Sequence, residues 1–206
     1  MKKATLWLIA TSMLLAGGGA DAAKCKYRED SVDKFTKVRT LWTKWNQLDS
    51  LFGGLSKRPN NVYAGYVSAG LNSDEIILQV KFQLVSESRL APAKFLLKDT
   101  VVAPKGSRLL VMMADESIVK LFSDRDVRVN AELFAPGTRG STGDKFSTKS
   151  NATISYTLDA DSIAALSSQD ATLVRVETAD PHYDIRIHKK SFGDIKKAIL
   201  CIQQEQ

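Results

Sequence analysis

The stretch Thr172–Cys201, TLVRVETADPHYDIRIHKKSFGDIKKAILC, is the part of the chain whose pattern predicts a fold most directly. Two short runs of alternating apolar and polar or charged residues flank Asp180-Pro181, a pair that is typical of turns. The apolar members of these runs are Val174, Val176, Tyr183, Ile185 and Ile187. This alternation predicts an antiparallel hairpin with one face on a core and the other in solvent.

A short helix is predicted to follow the hairpin. Ser191 and Asp194 have the spacing of a capping box, with aspartate in place of the usual glutamate. Apolar residues then recur at the helical spacing i, i+3, i+4, i+7, at Ile195, Ala198, Ile199 and Ile202. The C-terminal part of the chain is therefore expected to be strand, strand and helix.

The two cysteines of the chain, Cys25 and Cys201, lie near the two ends of the expected mature protein. In an exported chain this arrangement predicts a disulfide between them. Closing so long a loop has an upper effect of about 5 kcal/mol on stability. Two reduced thiols, one of them buried, are the alternative.

Residues 1–22 have the features of a signal peptide: Lys2-Lys3, an apolar run from Leu6 to Leu15, and the small-x-small sequence Ala20-Asp21-Ala22. A retained anchor is the alternative. Residues 23–206 are expected to form a single domain, periplasmic or secreted in a bacterium, with no transmembrane segment after signal removal. The sequence does not indicate an oligomeric state.

A long N-terminal helix is predicted over residues 31–55. Val38, Leu41, Trp45 and Leu48 begin a 3-4 spacing that continues through Phe52 and Leu55. The alternatives are a helix that packs on the protein's own sheet and a coiled-coil seam. We expect the first, because the heptad pattern lasts for fewer than three repeats.

Strand alternation is strongest over residues 76–85, and further strands are expected over 95–102, 108–113 and 127–133. Residues 109–129 and 154–174 resemble each other at an offset of 45 residues, which suggests two strand–short helix–strand units. The predicted fold class is α+β: an antiparallel or mixed sheet of about seven strands, one long N-terminal helix and short helices. A β-sandwich with helical connections is the alternative.

Residues 135–150, APGTRGSTGDKFSTKS, have almost no apolar content and predict a flexible loop. Part of it, GTRGSTGDK, superficially suggests a phosphate loop, but Asp144 separates Gly143 from Lys145 and no hydroxyl residue follows. Ser117 and Lys120 have the spacing of an acyl-enzyme nucleophile motif, but its partner sequences do not accompany them.

A metal site within the last strand is also not expected. His182 and His188 are six residues apart, so one extended strand places them about 20 Å from each other. No catalytic residue, metal ligand or cofactor is therefore predicted from the sequence.

The charge balance is mildly basic. The chain has 29 Lys and Arg against 23 Asp and Glu, and removal of residues 1–22 leaves 27 against 22, a net charge of +5. No basic cluster is interleaved with aromatic residues, so nucleic acid is not an expected partner.

A candidate binding face follows from the last hairpin, and we call it the predicted basic face. It consists of Arg175, Arg186, His188, Lys189 and Lys190. The expected function is that of an exported, non-catalytic binding or accessory protein whose partner is an acidic protein or an envelope component. A small periplasmic hydrolase with a site assembled from distant residues is the alternative.

Overall fold

The structure is a computed structural model that describes residues 25–49, 62–88, 101–130, 132–134, 146–179 and 181–206. Most of the described residues lie in strands, which pair antiparallel throughout. The strands are β1 (Tyr27–Val32), β2 (Arg39–Thr43), β3 (Asn46–Gln47), β4 (Val62–Asn72), β5 (Glu75–Ser88), β6 (Val101–Ala103), β7 (Arg108–Met113), β8 (Ile118–Phe122), β9 (Val127–Val129), β10 (Glu132–Phe134), β11 (Phe146–Thr157), β12 (Ala171–Val176) and β13 (Tyr183–Arg186). The helices among these residues are α1 (Ala160–Ser168), α2 (Asp194–Gln203) and a 3-10 turn at Lys189–Ser191. The α+β prediction is therefore wrong, because the fold is mostly β.

The predicted long helix over residues 31–55 does not form. Up to residue 49 this region is the hairpin β1–β2 followed by β3, and residues 50–55 lie outside the described part of the chain. Asp33 makes the turn, because its carboxylate accepts hydrogen bonds from the backbone N–H groups of Phe35 and Thr36. Lys37 adopts a left-handed φ of 59°, which reverses the chain into β2.

The large sheet has the strand order β1-β2-β4-β5-β11-β10, with β3 added on β4. Its central strand β5 shows strict alternation: Leu78, Val80 and Phe82 are fully buried, whereas Gln79 and Lys81 on the opposite face are only partly buried. The inner face of the sheet therefore contributes to the core, and the outer face carries polar and aromatic side chains.

The small sheet has the order β13-β12-β7-β8, and its β12–β13 pair is the hairpin predicted from the sequence. Its apolar face packs on the inner face of the large sheet. The rings of Phe82 and Tyr183 have centroids 5.1 Å apart, and Ile185 fits over Gly65, where an added Cβ would lie 2.4 Å from the isoleucine side chain. A third, two-stranded sheet pairs β6 with β9.

Helix α2 forms where the sequence predicts it. All four apolar positions of its predicted stripe are buried: Ile195, Ala198, Ile199 and Ile202. The cap differs from the prediction, because Gly193 occupies the N-cap position and Ser191 lies in the 3-10 turn. The hydroxyl of Ser191 instead donates to the backbone carbonyl of Gln47 in β3.

The predicted repeat is correct in only one of its two copies. Helix α1 forms in the second copy, capped by Asp159, whose carboxylate accepts from the N–H of Ser162 at 2.8 Å. The corresponding segment of the first copy is strand β8. There Asp115 holds a turn by accepting from the backbone N–H of Ser117, so residues that match in sequence fold differently.

The predicted loop over residues 135–150 is shorter than expected at its C-terminal end. Residues 146–150 begin β11 and pair with β5, whereas residues 135–145 lie outside the described residues. Residues 1–22 also lie outside them, so the signal peptide remains a prediction. No helix in the described part of the chain has the length and apolar content needed to cross a membrane.

Candidate functional site

The sulfur atoms of Cys25 and Cys201 lie 2.08 Å apart, the distance of a disulfide bond, which is compatible with the predicted pairing. The two residues are 176 positions apart in the sequence. Their pairing brings the residue after Cys25 next to helix α2. Lys26 is therefore close to Lys197, which lies one helical turn before Cys201.

A pocket of about 180 Å³ opens beside this pair, and we call it the lysine pocket. Three lysines, two polar residues and the paired cysteines form its wall together with one alanine: Lys26, Lys44, Lys197, Thr43, Asn46, Cys25, Cys201 and Ala198. Among the described residues, no carboxylate or imidazole belongs to this wall. Pockets for drug-sized molecules have volumes of roughly 300–1,000 Å³, so this one fits one small polar group.

The backbone around the lysine pocket is held by several hydrogen bonds. The N–H of Lys44 donates to the carbonyl of Lys26 at 2.9 Å, which fixes the two strand ends side by side. The buried hydroxyl of Thr43 donates to the carbonyl of Ala69 and accepts from the N–H of the same residue. Both hydrogen bonds hold the hydroxyl of Thr43 against the backbone, so it is not available as a nucleophile.

The three lysines of the pocket are exposed. Within the described residues, no side-chain hydrogen bond or ion pair engages the ammonium groups of Lys26, Lys44 or Lys197. Asp194 lies one turn before Lys197, and burial raises the pKa of its carboxyl despite the lysine's positive charge. Unpaired cations around a concave surface create a positive potential that attracts anions.

The outer face of the large sheet carries alternating cations and aromatic rings. The guanidinium of Arg28 lies 5.0 Å from the ring centroid of Trp42 and 4.6 Å from that of Trp45. The ammonium of Lys81 lies 5.9 Å from the centroid of Trp45 and 6.0 Å from that of Tyr66. We call Trp42, Arg28, Trp45, Lys81 and Tyr66 the cation–aromatic row.

Amide and hydroxyl groups stand beside the row on the same face. Arg28 donates to the side-chain oxygen of Gln79 at 2.9 Å, and the amide nitrogen of Gln79 donates to Ser155 at 3.2 Å. Four positions further along the β5–β11 register, Gln83 donates to Asn151 at 2.8 Å. These contacts hold the polar groups in fixed positions on the sheet.

The predicted basic face is only partly a set of free cations. Arg175 makes a bidentate ion pair with Asp184, at 2.6 and 2.8 Å, and this contact lowers the pKa of the aspartate carboxyl. Arg186 projects from the same face of the small sheet as this pair. His188 accepts from the backbone N–H of Lys190 through Nδ1 at 3.3 Å, so that ring nitrogen acts as an acceptor.

The segment around His188 also supports the lysine pocket. The backbone N–H of His188 donates to the carbonyl of Leu48 at 2.7 Å. This hydrogen bond and the one from Ser191 to Gln47 lie at the end of β3, next to Asn46 in the pocket wall. Lys189 and Lys190 are exposed on the 3-10 turn. The predicted basic face remains a prediction as a binding surface.

Sequence reasoning missed the lysine pocket, because its walls come from segments near residues 25, 44 and 197. One signal in the sequence points to it. A disulfide between Cys25 and Cys201 necessarily brings the neighbouring lysines of both segments together.

Chemistry other than anion binding has little support in the described residues. They hold no group of three or more His, Cys, Asp or Glu side chains placed to bind a metal ion. Ser117, of the predicted Ser-x-x-Lys spacing, lies in a turn before β8, and its hydroxyl donates to Asp115 at 2.6 Å. No protein-family model, curated protein sequence or solved structure matches this chain.

Proposed function

We propose that this protein is an exported, non-catalytic binding protein that captures an anionic ligand at the lysine pocket. The observation that carries the proposal is the convergence of Lys26, Lys44 and Lys197 on one small concavity, where none of them forms an ion pair with another described residue. An acidic protein or an envelope component remains the expected class of partner.

The size and chemistry of the pocket support binding rather than catalysis. The described residues of its wall include no acid–base pair, and the hydroxyl of Thr43 is held by backbone groups of Ala69. A volume of about 180 Å³ accommodates a carboxylate or phosphate group, so a larger ligand extends beyond the pocket.

Exposed charge pairs contribute at most about 1 kcal/mol each, and salt screens them over about 10 Å at 0.1 M. A single anionic group is therefore expected to bind weakly, in the millimolar range, and more weakly as the salt concentration rises. A ligand with several anionic groups gains affinity by making several such contacts.

The test compares single substitutions of equal charge on a phosphocellulose column. Lys26→Gln, Lys44→Gln and Lys197→Gln are expected to elute at lower salt than the wild type. Lys120→Gln, an exposed position on β8 in the small sheet, is the matched control and is expected to elute close to the wild type. Exposed substitutions of this kind change stability by under about 0.5 kcal/mol, so all four variants are expected to fold.

Equal shifts for the pocket variants and the control would mean that only the net charge matters, and would refute the proposal. The double variant Lys189→Glu/Lys190→Glu tests the predicted basic face in the same assay. Suppose that this double variant loses more retention than its change in net charge explains, and that the pocket variants do not. The binding surface is then the predicted basic face and not the lysine pocket.

A further inference from the structure

We infer that the lysine pocket is also a site of thiol–disulfide exchange, where a small thiol that carries an anionic group attacks the disulfide between Cys25 and Cys201. This inference rests on the proposed function, since it adds a reaction and a class of co-reactant to the same anion-binding pocket. It starts from the composition of the pocket wall, which contains both cysteines of the disulfide together with three lysines.

The disulfide can be approached from the pocket. Cys25 is half-buried and precedes the exposed Lys26, whereas Cys201 is 6% exposed. Exchange requires an incoming thiolate to contact the sulfur that it attacks. The greater exposure of Cys25 therefore makes its Sγ the attacked atom, and the Sγ of Cys201 becomes the leaving atom.

Lysines lie close to both ends of the disulfide. Lys26 directly follows Cys25 in the chain, and the N–H of Lys44 donates to the carbonyl of Lys26 at 2.9 Å. Lys197 lies one helical turn before Cys201, on the same side of α2. Ammonium groups attract an anionic thiol, and they also stabilise a thiolate relative to the thiol. The three lysines therefore favour both the capture of the incoming thiol and the departure of the Cys201 sulfur.

The exchange step needs no co-reactant other than the thiol. The thiolate sulfur of the incoming molecule forms a bond to the Sγ of Cys25 while the bond between the two cysteines breaks. The electron pair of that bond leaves on the Sγ of Cys201, which becomes a thiolate. One thiolate is consumed and one is formed, so the products are a mixed disulfide at Cys25 and a free thiol at Cys201. The pocket volume of about 180 Å³ limits the co-reactant to a small molecule.

The walls of the pocket are also held by contacts that do not depend on the disulfide. The hydroxyl of Tyr27 lies 3.1 Å from a carboxylate oxygen of Glu205 and 3.3 Å from the carbonyl oxygen of Cys201, so it ties β1 to the end of α2. Buried residues such as Ile199 and Ile202 anchor the helix itself. The anionic group of the attached thiol therefore stays beside the lysines and stabilises the mixed disulfide.

Mercaptoacetate is the probe, since it is a small thiol with one carboxylate. Mercaptoethanol is the neutral comparison and cysteamine is the cationic one. The native protein is equilibrated with each thiol and its own disulfide and is then quenched with acid, and mass spectrometry measures the fraction that carries a mixed disulfide. The same equilibrium in concentrated urea gives the intrinsic preference for each thiol, and the native equilibrium constants are divided by it.

The expected result is a normalised equilibrium constant for mercaptoacetate about fivefold above that for mercaptoethanol, the upper effect of one exposed ion pair, with cysteamine below both. This preference should fall as salt is added, because salt screens exposed charges. Lys44→Gln and Lys197→Gln should each reduce the preference, whereas Lys120→Gln, which removes the same charge from β8, should leave it unchanged. Peptide mapping of the quenched and alkylated protein should place the adduct on Cys25.

The outcomes separate this inference from the proposed function. The exchange site is overturned if the native protein forms no mixed disulfide, if the three thiols have equal normalised constants, or if Lys120→Gln lowers the preference as much as the pocket variants do. An adduct on Cys201 also overturns it, because the less exposed sulfur would then be the one attacked. In each of these cases phosphate binding that is lost in Lys197→Gln still supports the pocket, whereas phosphate binding that is indifferent to Lys26, Lys44 and Lys197 refutes the proposed function itself.

Discussion

The contact between Gly70 and Trp42 gives a sharp prediction about the outer face of the large sheet. The two residues are register partners on β4 and β2, and the indole lies directly over the glycine. A Cβ on Gly70 would lie 2.3, 2.4 and 2.6 Å from three ring carbons of Trp42. Since these atoms belong to a rigid ring that is 9% exposed, Gly70→Ala must displace the indole.

The size of the effect follows from what the displaced ring loses. Removing a buried tryptophan by Trp42→Ala costs about 3–5 kcal/mol, and Gly70→Ala is expected to cost about 3 kcal/mol because it forfeits most of the same packing. In the double variant the new methyl group meets no ring. The double variant should therefore lose about 2 kcal/mol less stability than the sum of the two single variants, which is in the range found for residues in contact.

The assay is urea unfolding followed by far-ultraviolet circular dichroism, which does not depend on the tryptophan that is removed. Gly106→Ala is the control, because Gly106 has a φ of 83° and nothing lies within 4 Å of its added Cβ. Its cost comes from backbone strain and should add to that of Trp42→Ala. Additive costs for Gly70→Ala and Trp42→Ala, or a harmless Gly70→Ala, would refute the packing described for this face.

Three further predictions concern the disulfide, the core and the pH dependence of stability. Thiol titration of denatured, non-reduced protein should find no free thiol, and Cys25→Ser/Cys201→Ser should lose up to about 5 kcal/mol of stability; two reactive thiols per chain would contradict the pairing. The hydroxyl of Tyr156 is buried without a hydrogen-bond partner among the described residues, and burial raises its pKa. Tyr156→Phe should therefore raise the free energy of unfolding by about 1 kcal/mol. A drop in melting temperature would show that the hydroxyl has a hydrogen-bond partner. The ion pair with Arg175 lowers the pKa of the Asp184 carboxyl in the folded state. The pair therefore stabilises the fold above the ordinary aspartate pKa of about 4, and this stabilisation is lost as pH falls through the lowered pKa. The stability difference between wild type and Asp184→Asn should vanish in that acidic range, and a difference that persists at lower pH would argue against the ion pair.

The C-terminal hairpin and helix α2 could be predicted from the sequence, because their patterns are long enough to show one period. Val174 and Val176 face the core across from Tyr183 and Ile185, and all four are buried. Each of these elements also packs with its neighbour in the chain, so the local pattern and the tertiary contacts agree.

The N-terminal region could not be predicted in the same way. Strand β2 has five residues and β3 has two, so neither runs long enough for the alternation of a strand to be recognised. Leu41 and Leu48 are fully buried, but Leu41 lies in β2 and Leu48 directly follows β3. Strands β2 and β3 both pair antiparallel with β4, and the four-residue step from Trp42 to Asn46 opposes a three-residue step from Gly70 to Val67. This extra residue shifts the alternation, so Leu41 and Leu48 face the same core at a spacing of seven residues that imitates a helix.

The candidate site depends on contacts between segments far apart in sequence. The predicted disulfide implied that Lys26 lies near the end of the chain, but the position of Lys44 depends on the β1–β2 pairing, which the helix prediction excluded. Arg175 was assigned to a free basic face because charge alone was considered. Its register partner in β13 is Asp184, and that pairing neutralises it.

The most direct test of the lysine pocket is a phosphate titration of uniformly ¹⁵N-labelled protein at low ionic strength, followed by backbone and lysine side-chain NMR signals. We predict saturable shifts that centre on Lys26, Lys44, Asn46 and Lys197 and are absent at Lys105 and Lys120. Shifts of equal size at all exposed lysines, with no saturation, would contradict the claim that these residues form an anion-binding site.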